Sequence, residues 1–241
     1  MAENTTYSLQ VELLSGPETP LKTIYVACRT CYSAQYPQTL WEEDYSEEKM
    51  LKLVSKVIQS GHHSTLEHCN YVFAVSGISR ACSHQLVRHR HMSFSQKSQR
   101  YVTEKTQFEY LTPPSIKISE FNPEYETLME NLQNFYTRMV EGGIKAEDAR
   151  FILPNATSTS LVTTLNLREL IHLANLRLCT NAQHEIRKLV KEMVDLVIKK
   201  DPWLKDYLII KCQALGYCNE AKSCGMYPSK SEVLNAYARN A

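Results

Sequence analysis

The sequence predicts an α+β fold: a short-stranded, mostly antiparallel sheet flanked by helices, with a largely helical C-terminal part and no Rossmann domain. Three observations carry this expectation. Strand-type patterning is clearest in two short early segments, residues 8–14 (SLQVELL) and 69–76 (CNYVFAVS). From about residue 124 onward, apolar residues recur mainly at helical spacing. Glycine is scarce, 7 residues in 241, or about 3% against a usual ~7%. Those seven positions cannot form G-x-G-x-x-G, and none precedes a Lys-Ser/Thr pair. Both glycine-rich phosphate cradles, the Rossmann turn and the P-loop, are therefore excluded. Any bound nucleotide must be held in another way.

Element by element, residues 8–14 alternate polar and apolar and predict the opening strand. Gly16 to Pro20 is a turn, followed by a helix ending near Cys31. Residues 46–60 predict a helix capped by Ser46. Glu47 and Glu48 suit its positive end, Leu51, Val54, Val57 and Ile58 form its apolar stripe, and Gly61 stops it. The aromatic and β-branched run 69–76 predicts a strand, residues 78–90 a helix, and the polar stretch 91–99 an irregular segment. Three prolines in 113–123 predict a connecting loop. Helices are then expected over 124–141, 145–152, 165–178 and 182–199. The last carries Ile186, Leu189, Val190, Met193, Val194 and Val197 on one face, behind a Thr180-x-x-Gln183 capping box.

The length of 241 residues suits one domain spanning 1–241 with its own core. Lysine and arginine total 27 and aspartate and glutamate 26, so the net charge of +1 excludes a globally basic nucleic-acid coat. No apolar run is long enough for a membrane span. The polar start lacks a signal-peptide pattern, so the eight cysteines read as reduced thiols of a cytoplasmic protein. Cys28 and Cys31 sit at helical i,i+3 spacing. Cys212, Cys218 and Cys224 are evenly spaced, but they lack the paired knuckles of a structural zinc site. No metal is expected.

The near-neutral total hides a local asymmetry. From His68 to Thr103 there is no carboxylate, while Arg80, Arg88, Arg90, Lys97 and Arg100 give the stretch a formal +5. These cations should meet an anion, either a phosphate or carboxylate ligand or a distant acidic segment such as 42–48. Six of the eight histidines (His62, His63, His68, His84, His89 and His91) also fall between residues 62 and 91. The pattern around His62, His63 and His68 fits neither H-E-x-x-H nor its reverse, which argues against a zinc hydrolase. An alternative use of residues 80–101 is single-stranded nucleic-acid binding, with Phe94 and Tyr101 as stacking groups.

One long motif is specific. Residues 88–101 read RHRHMSFSQKSQRY: Arg88-His89-Arg90, seven further residues, then Ser98-Gln99-Arg100-Tyr101. This resembles the signature of the flavin-dependent thymidylate synthases. Upstream, Arg29-Thr30-Cys31-Tyr32 and the run Gly61 to His68 are similar to early segments of that family. Downstream, Ala149 to Pro154, Asn166-Leu167-Arg168 and Asn175-Leu176-Arg177 follow in family order. The resemblance covers about 8–210 and leaves a tail, 213–241, of unassigned role. It implies reductive methylation of dUMP to dTMP, with methylenetetrahydrofolate as carbon donor and FAD, reduced by NADPH, as hydride source. It also implies a homotetramer with active sites where subunits meet, no enzyme nucleophile, and a flavin bound outside any Rossmann domain.

Carried over residue by residue, the resemblance implies that Ser64, Arg88, His89, Arg90, Gln96, Asn166, Leu167, Arg168 and His172 bind the flavin. It assigns Gln85, Leu86, Val87, Arg88, Gln96, Lys97, Ser98, Gln99, Arg100, Arg150 and Arg177 to dUMP, and His62 to the folate side. Arg177 is the implied catalytic residue, because a fixed guanidinium stabilises charge on the uracil N3/O4 edge without acting as a base. At position 96 the family often carries Glu, so this site differs in local charge. Helix arithmetic places Arg168 and His172 only about 40° apart. Cys69 and Cys82 flank the basic zone, but the resemblance requires neither as a nucleophile.

Overall fold

A computed structural model of the chain describes residues 8–101 and 108–240. Thus Val102 and Thr103, the end of the carboxylate-free stretch, lie outside the described residues. The elements run β1 (Gln10–Ser15), α1 (Pro20–Thr30), α2 (Pro37–Glu42), α3 (Glu47–Gln59), a 3-10 turn (His63–His68), β2 (Asn70–Ser79), α4 (Arg80–Leu86) and β3 (Met92–Gln96). There follow α5 (Pro114–Lys117), α6 (Asn122–Glu141), α7 (Ala146–Ala149), a 3-10 turn (Arg150–Ile152), β4 (Ser158–Asn166), α8 (Leu167–Arg177) and α9 (His184–Lys200). A further 3-10 turn (Pro202–Asp206), α10 (Lys211–Leu215) and α11 (Lys230–Asn240) complete the chain. The strands form one antiparallel sheet in the order β1-β2-β4-β3, so the α+β class and the antiparallel sheet are as expected.

The contacts separate the chain into two compact units. One comprises Met1–Val11, Ala74–Arg88 and Phe94–Thr163. The other comprises Glu12–Phe73, His89–Ser93 and Thr164–Ala241. In the second unit α1 packs on α3 and α8 on α9. All six apolar residues expected on one face of α9 are buried, and full burial of such side chains stabilises by about 2 kcal/mol each before chain entropy is counted. In the first unit Met129 and Tyr136 of α6 are buried, as are Val75, Ile78 and Leu161 on β2 and β4. Gly77 shows why glycine is kept there: its φ is +70°, and a Cβ would lie 2.5 Å from the Ser8 carbonyl oxygen.

Several boundaries differ from the sequence reading, each for a local reason. The stretch 91–99 is not irregular: Met92–Gln96 is the edge strand β3, its buried apolar residue limited to Met92. The strand read as 69–76 runs on to Ser79. The helix read as 78–90 is only Arg80–Leu86, because the Ser79 hydroxyl caps it by accepting from the Cys82 amide. Residues 158–166 form β4, whose Thr163 and Leu165 face inward while Val162 is exposed. The helix read as 165–178 starts at Leu167, after Asn166 accepts from the Glu169 amide at 2.9 Å. The helix read as 145–152 divides into α7 and a 3-10 turn, and the loop 113–123 contains α5. At the start of α9 the cap is Gln183 itself, accepting from Glu185 N and Ile186 N, rather than Thr180.

Candidate active site

In the first unit the expected dUMP residues form three small groups. Gln96, at the end of β3, donates through Nε2 to Ser83 Oγ (2.9 Å) and Thr159 Oγ1 (3.3 Å). Arg80 donates through Nη2 to the Lys97 carbonyl (2.8 Å), and its buried Nε has no hydrogen-bond partner. Burial and the charge of nearby Arg150 both disfavour the Arg80 cation. Arg150 donates from Nε to the Glu147 carbonyl (3.1 Å). Arg100 pairs with Glu147, Nε to Oε2 at 2.7 Å, while the Ser98 hydroxyl accepts from the Arg100 amide (3.2 Å). Arg100 of the basic stretch thus pairs with Glu147 rather than with a residue of 42–48.

Along α4 the expected ligands divide by exposure. Leu86 is fully buried, so its side chain serves the core. Gln85 is half-buried, and Val87 and Arg88 are exposed, as is Arg90 of the second unit. The guanidinium groups of Arg88 and Arg90 have no hydrogen-bond or ion-pair partner among the described residues. Lys97 is exposed and Gln99 half-buried on the same segment. Tyr101, the proposed stacking group, is exposed, with the Arg100 guanidinium over its ring at 5.2 Å.

In the second unit the geometry is tighter. His89, between the two exposed arginines, is only 6% exposed. Its Nδ1 lies 3.1 Å from Glu169 Oε1, and its Nε2 accepts from Arg177 Nε–H at 3.1 Å. An Nε2 that accepts must be unprotonated, so the proton sits on Nδ1 and is donated to Glu169. Burial lowers the His89 pKa below its ordinary value, reinforced by the Arg177 charge and opposed by the Glu169 hydrogen bond. The ring therefore stays neutral and points Arg177. The Nη groups of Arg177 have no partner among the described residues.

His172 is exposed on α8, with its ring 6.0 Å from that of His89. His89, Glu169 and His172 also make the tightest trio of metal-type ligand atoms among the described residues. That trio does not suit a cation, because one His89 nitrogen carries a proton and the other faces a guanidinium. Arg168 pairs with Glu67 (2.5 Å). Leu167 is fully buried, and Asn166 is spent on its cap, so these two position α8. Ser64 and His62 are exposed beside the His63–His68 turn.

Two residues of these groups escape sequence reading. Glu169 resembles the third residue of an Asn166-x-x-Glu169 capping box, but its carboxylate turns to His89 instead of back to Asn166. Arg80 looks like one more cation of the basic stretch, and only the fold buries its Nε.

The architecture matches solved nucleotide-methylating proteins. Thymidylate synthase X from Helicobacter pylori, solved with FAD and dUMP, is 27% identical with a TM-score of 0.66, over 83% of this chain and 99% of that one. The UMP/dUMP methylase PolB from Streptomyces cacaoi, bound with 5-Br dUMP, shares the fold at a TM-score of 0.67 and 24% identity, over 81% of this chain and 92% of that one. The class is that of thymidylate synthase X.

Sequence relatives narrow the class. The flavin-dependent thymidylate synthase of Nitratidesulfovibrio vulgaris is 38% identical over 93% of this chain and 97% of its own. That of Geobacter sulfurreducens is 42% identical over 78% and 82%. A profile of the family described as thymidylate synthase complementing protein matches residues 12–203. The chain belongs to the flavin-dependent thymidylate synthase family.

Proposed function

We propose that this chain converts dUMP to dTMP, taking the carbon from methylenetetrahydrofolate and the hydride from FAD reduced by NADPH. The observation that carries the reading is the aimed guanidinium of Arg177, in a chain belonging to a family named for this reaction. Arg177 sits where a neutral imidazole fixes its direction without neutralising its charge. Its free Nη–H groups then hold the negative charge that builds on the uracil N3/O4 edge as C5 attacks the one-carbon unit. Arg100, Arg150, Ser98 and Gln96 hold the nucleotide, with a guanidinium fork suited to its phosphate.

The donors fit an anionic dinucleotide: Arg88 and Arg90 are exposed and have no partner among the described residues, and Ser64 and His172 are exposed. Bound FAD supplies the hydride. Arg168 must exchange Glu67 for the ligand if it takes part. The absence of an enzyme nucleophile is supported by the thiols themselves. Cys69 and Cys82 are fully buried, and burial with the nearby Asp201 charge pushes the Cys69 pKa up to about 12. His62 is assigned to the folate side. The homotetramer with shared active sites and the cytoplasmic location complete the reading by family likeness. Among the described residues no helix is long and apolar enough to cross a membrane.

The test is spectroscopic and kinetic. Purified protein should show oxidised-flavin absorbance and oxidise NADPH at a rate that dUMP alters. Arg177→Ala should lower dTMP formation by about 10²–10³-fold with an unchanged circular dichroism spectrum. Flavin-free protein that FAD cannot reconstitute overturns the reading, and near-normal turnover of Arg177→Ala removes that residue's role.

A further inference from the structure

The cysteine-containing tail lies outside residues 12–203, the part matched by the family profile. In the structure its three cysteines converge with a fourth. Cys179 (in the turn after α8), Cys212 (on α10), Cys218 and Cys224 all line one cavity of about 20 Å³, together with Asn175 and Asn181. A cavity of that size accommodates a single water or ion. Hydrogen bonds fix the segments around it. Asn181 Nδ2 donates to the Lys222 carbonyl (3.0 Å), Asn175 Nδ2 to the Ile209 carbonyl (2.8 Å), and the Cys218 amide to the Pro228 carbonyl (2.7 Å).

One feature marks these thiols as more than packing. From residue 211 to 238, Cys218 is the sole buried residue, so almost no apolar core holds this tail in its defined path. Segments so poor in core are commonly held by a cross-link or a metal. Gly225 turns the chain beside Cys224 with φ +85°.

We propose that Cys179, Cys212, Cys218 and Cys224 form a four-thiolate centre for a soft metal, which clamps the C-terminal tail onto the end of α8. Each thiol releases its proton to solvent as its sulfur bonds to the metal, with no change of oxidation state. The occupant is a zinc ion, which takes four cysteines and suits a cavity sized for one ion. Sulfurs around zinc, at Zn–S of about 2.3 Å, stand roughly 3.8 Å apart. No three of these sulfurs lie within 4.8 Å of one another. A zinc ion therefore requires side-chain rotation that draws them inward.

The centre is tested on the full-length protein, purified under reducing conditions and desalted. Elemental analysis should find about one zinc per chain. Cys218→Ser and Cys224→Ser should each lower that content at least about tenfold, whereas Cys31→Ser, just past the end of α1, should leave it unchanged. Because a serine variant can fail to fold, wild-type protein is also treated with a chelator. Loss of the metal should make all four tail-site thiols open to alkylation, and re-adding the metal should close them. Cobalt exchanged into the wild type should give thiolate charge-transfer absorbance. The proposal falls if folded wild-type protein carries no stoichiometric metal, if a disulfide joins any two of the four, or if the metal survives both serine substitutions.

Discussion

Arg177 and Arg100 are both arginines expected to meet dUMP, but they are held in opposite ways. Arg177, in the second unit, is aimed by the neutral imidazole of His89, which Glu169 holds in turn, and both supports are nearly buried. Arg100, in the first unit, is paired directly with Glu147, and its side chain is 53% exposed. A guanidinium tied to a neutral ring keeps its full charge for the substrate. One tied to a carboxylate must surrender that partner to bind an anion. The first arrangement suits catalysis, where geometry must not change as charge develops. The second suits a ligand contact that forms and breaks with each turnover.

Short of removing Arg177 itself, the largest effect should come from breaking the buried support. Glu169→Ala leaves the His89 Nδ1–H without its acceptor, which destabilises the fold by about 1–3 kcal/mol. It also frees the ring to rotate away from Arg177. We expect kcat for dTMP formation to fall by about 10–100-fold, more than the KM for dUMP rises, because the lost contact acts on charge that develops during reaction. Glu169→Gln retains an acceptor oxygen and should restore most of the rate. Equal damage from the two variants would mean that the carboxylate's charge, rather than its direction, matters.

A pH profile separates those two possibilities. The folded pKa of His89 lies below its ordinary value of 6.5, chiefly through burial. The unfolded chain therefore binds this proton first as the pH falls. Stability is full above 6.5 and is lost as the pH drops towards the folded pKa. Protonation also turns Nε2 into a donor facing the Arg177 Nε–H, so turnover should fall over the same acid range. Glu169 raises the His89 pKa, so Glu169→Gln should move the acid limb to lower pH. A limb that stays in place belongs to another group.

The sequence made some of this legible and hid the rest for physical reasons. The faces of α3 and α9 were readable because their burial follows the 3.6-residue period and Ser46 marks a start. The strand β4 was not, because its buried Thr159 and Thr163 look polar in isolation. Arg88-His89-Arg90 reads as three equivalent ligands, yet a tight turn exposes the two arginines and buries the histidine. Glu169 became a partner of His89 only through a contact spanning 80 positions, and such pairings have no local signature. The tail cysteines hid for the same reason: Cys179 joins them from the far side of α9 in sequence.

Gln96 tests the less buried side of the comparison. Its amide donates to Ser83 and Thr159, while the Ser83 hydroxyl already donates to the Arg80 carbonyl at 3.0 Å. In Gln96→Glu the hydroxyls must supply the protons instead, and Ser83 can do so only by leaving Arg80. Thermal unfolding should report a loss of about 1–2 kcal/mol, with dTMP formation reduced less than in Glu169→Ala. A variant as impaired in kcat as Glu169→Ala would make this group as rigidly catalytic as the buried one, and the contrast between the units would fail.

The smallest effect should come from Glu147→Gln, and its sign is the informative part. Removing the carboxylate that competes for Arg100 should leave stability nearly unchanged, since half-exposed ion pairs contribute under about 1 kcal/mol. Arg100 no longer has to exchange a charged partner, so the KM for dUMP should fall, by roughly 2–5-fold, with kcat unaltered. Added salt already weakens the wild-type pair, so the difference in KM between wild type and variant should shrink as ionic strength rises. A raised KM would mean that Glu147 orients Arg100 for the phosphate, and that both arginines are then held in place for the same purpose.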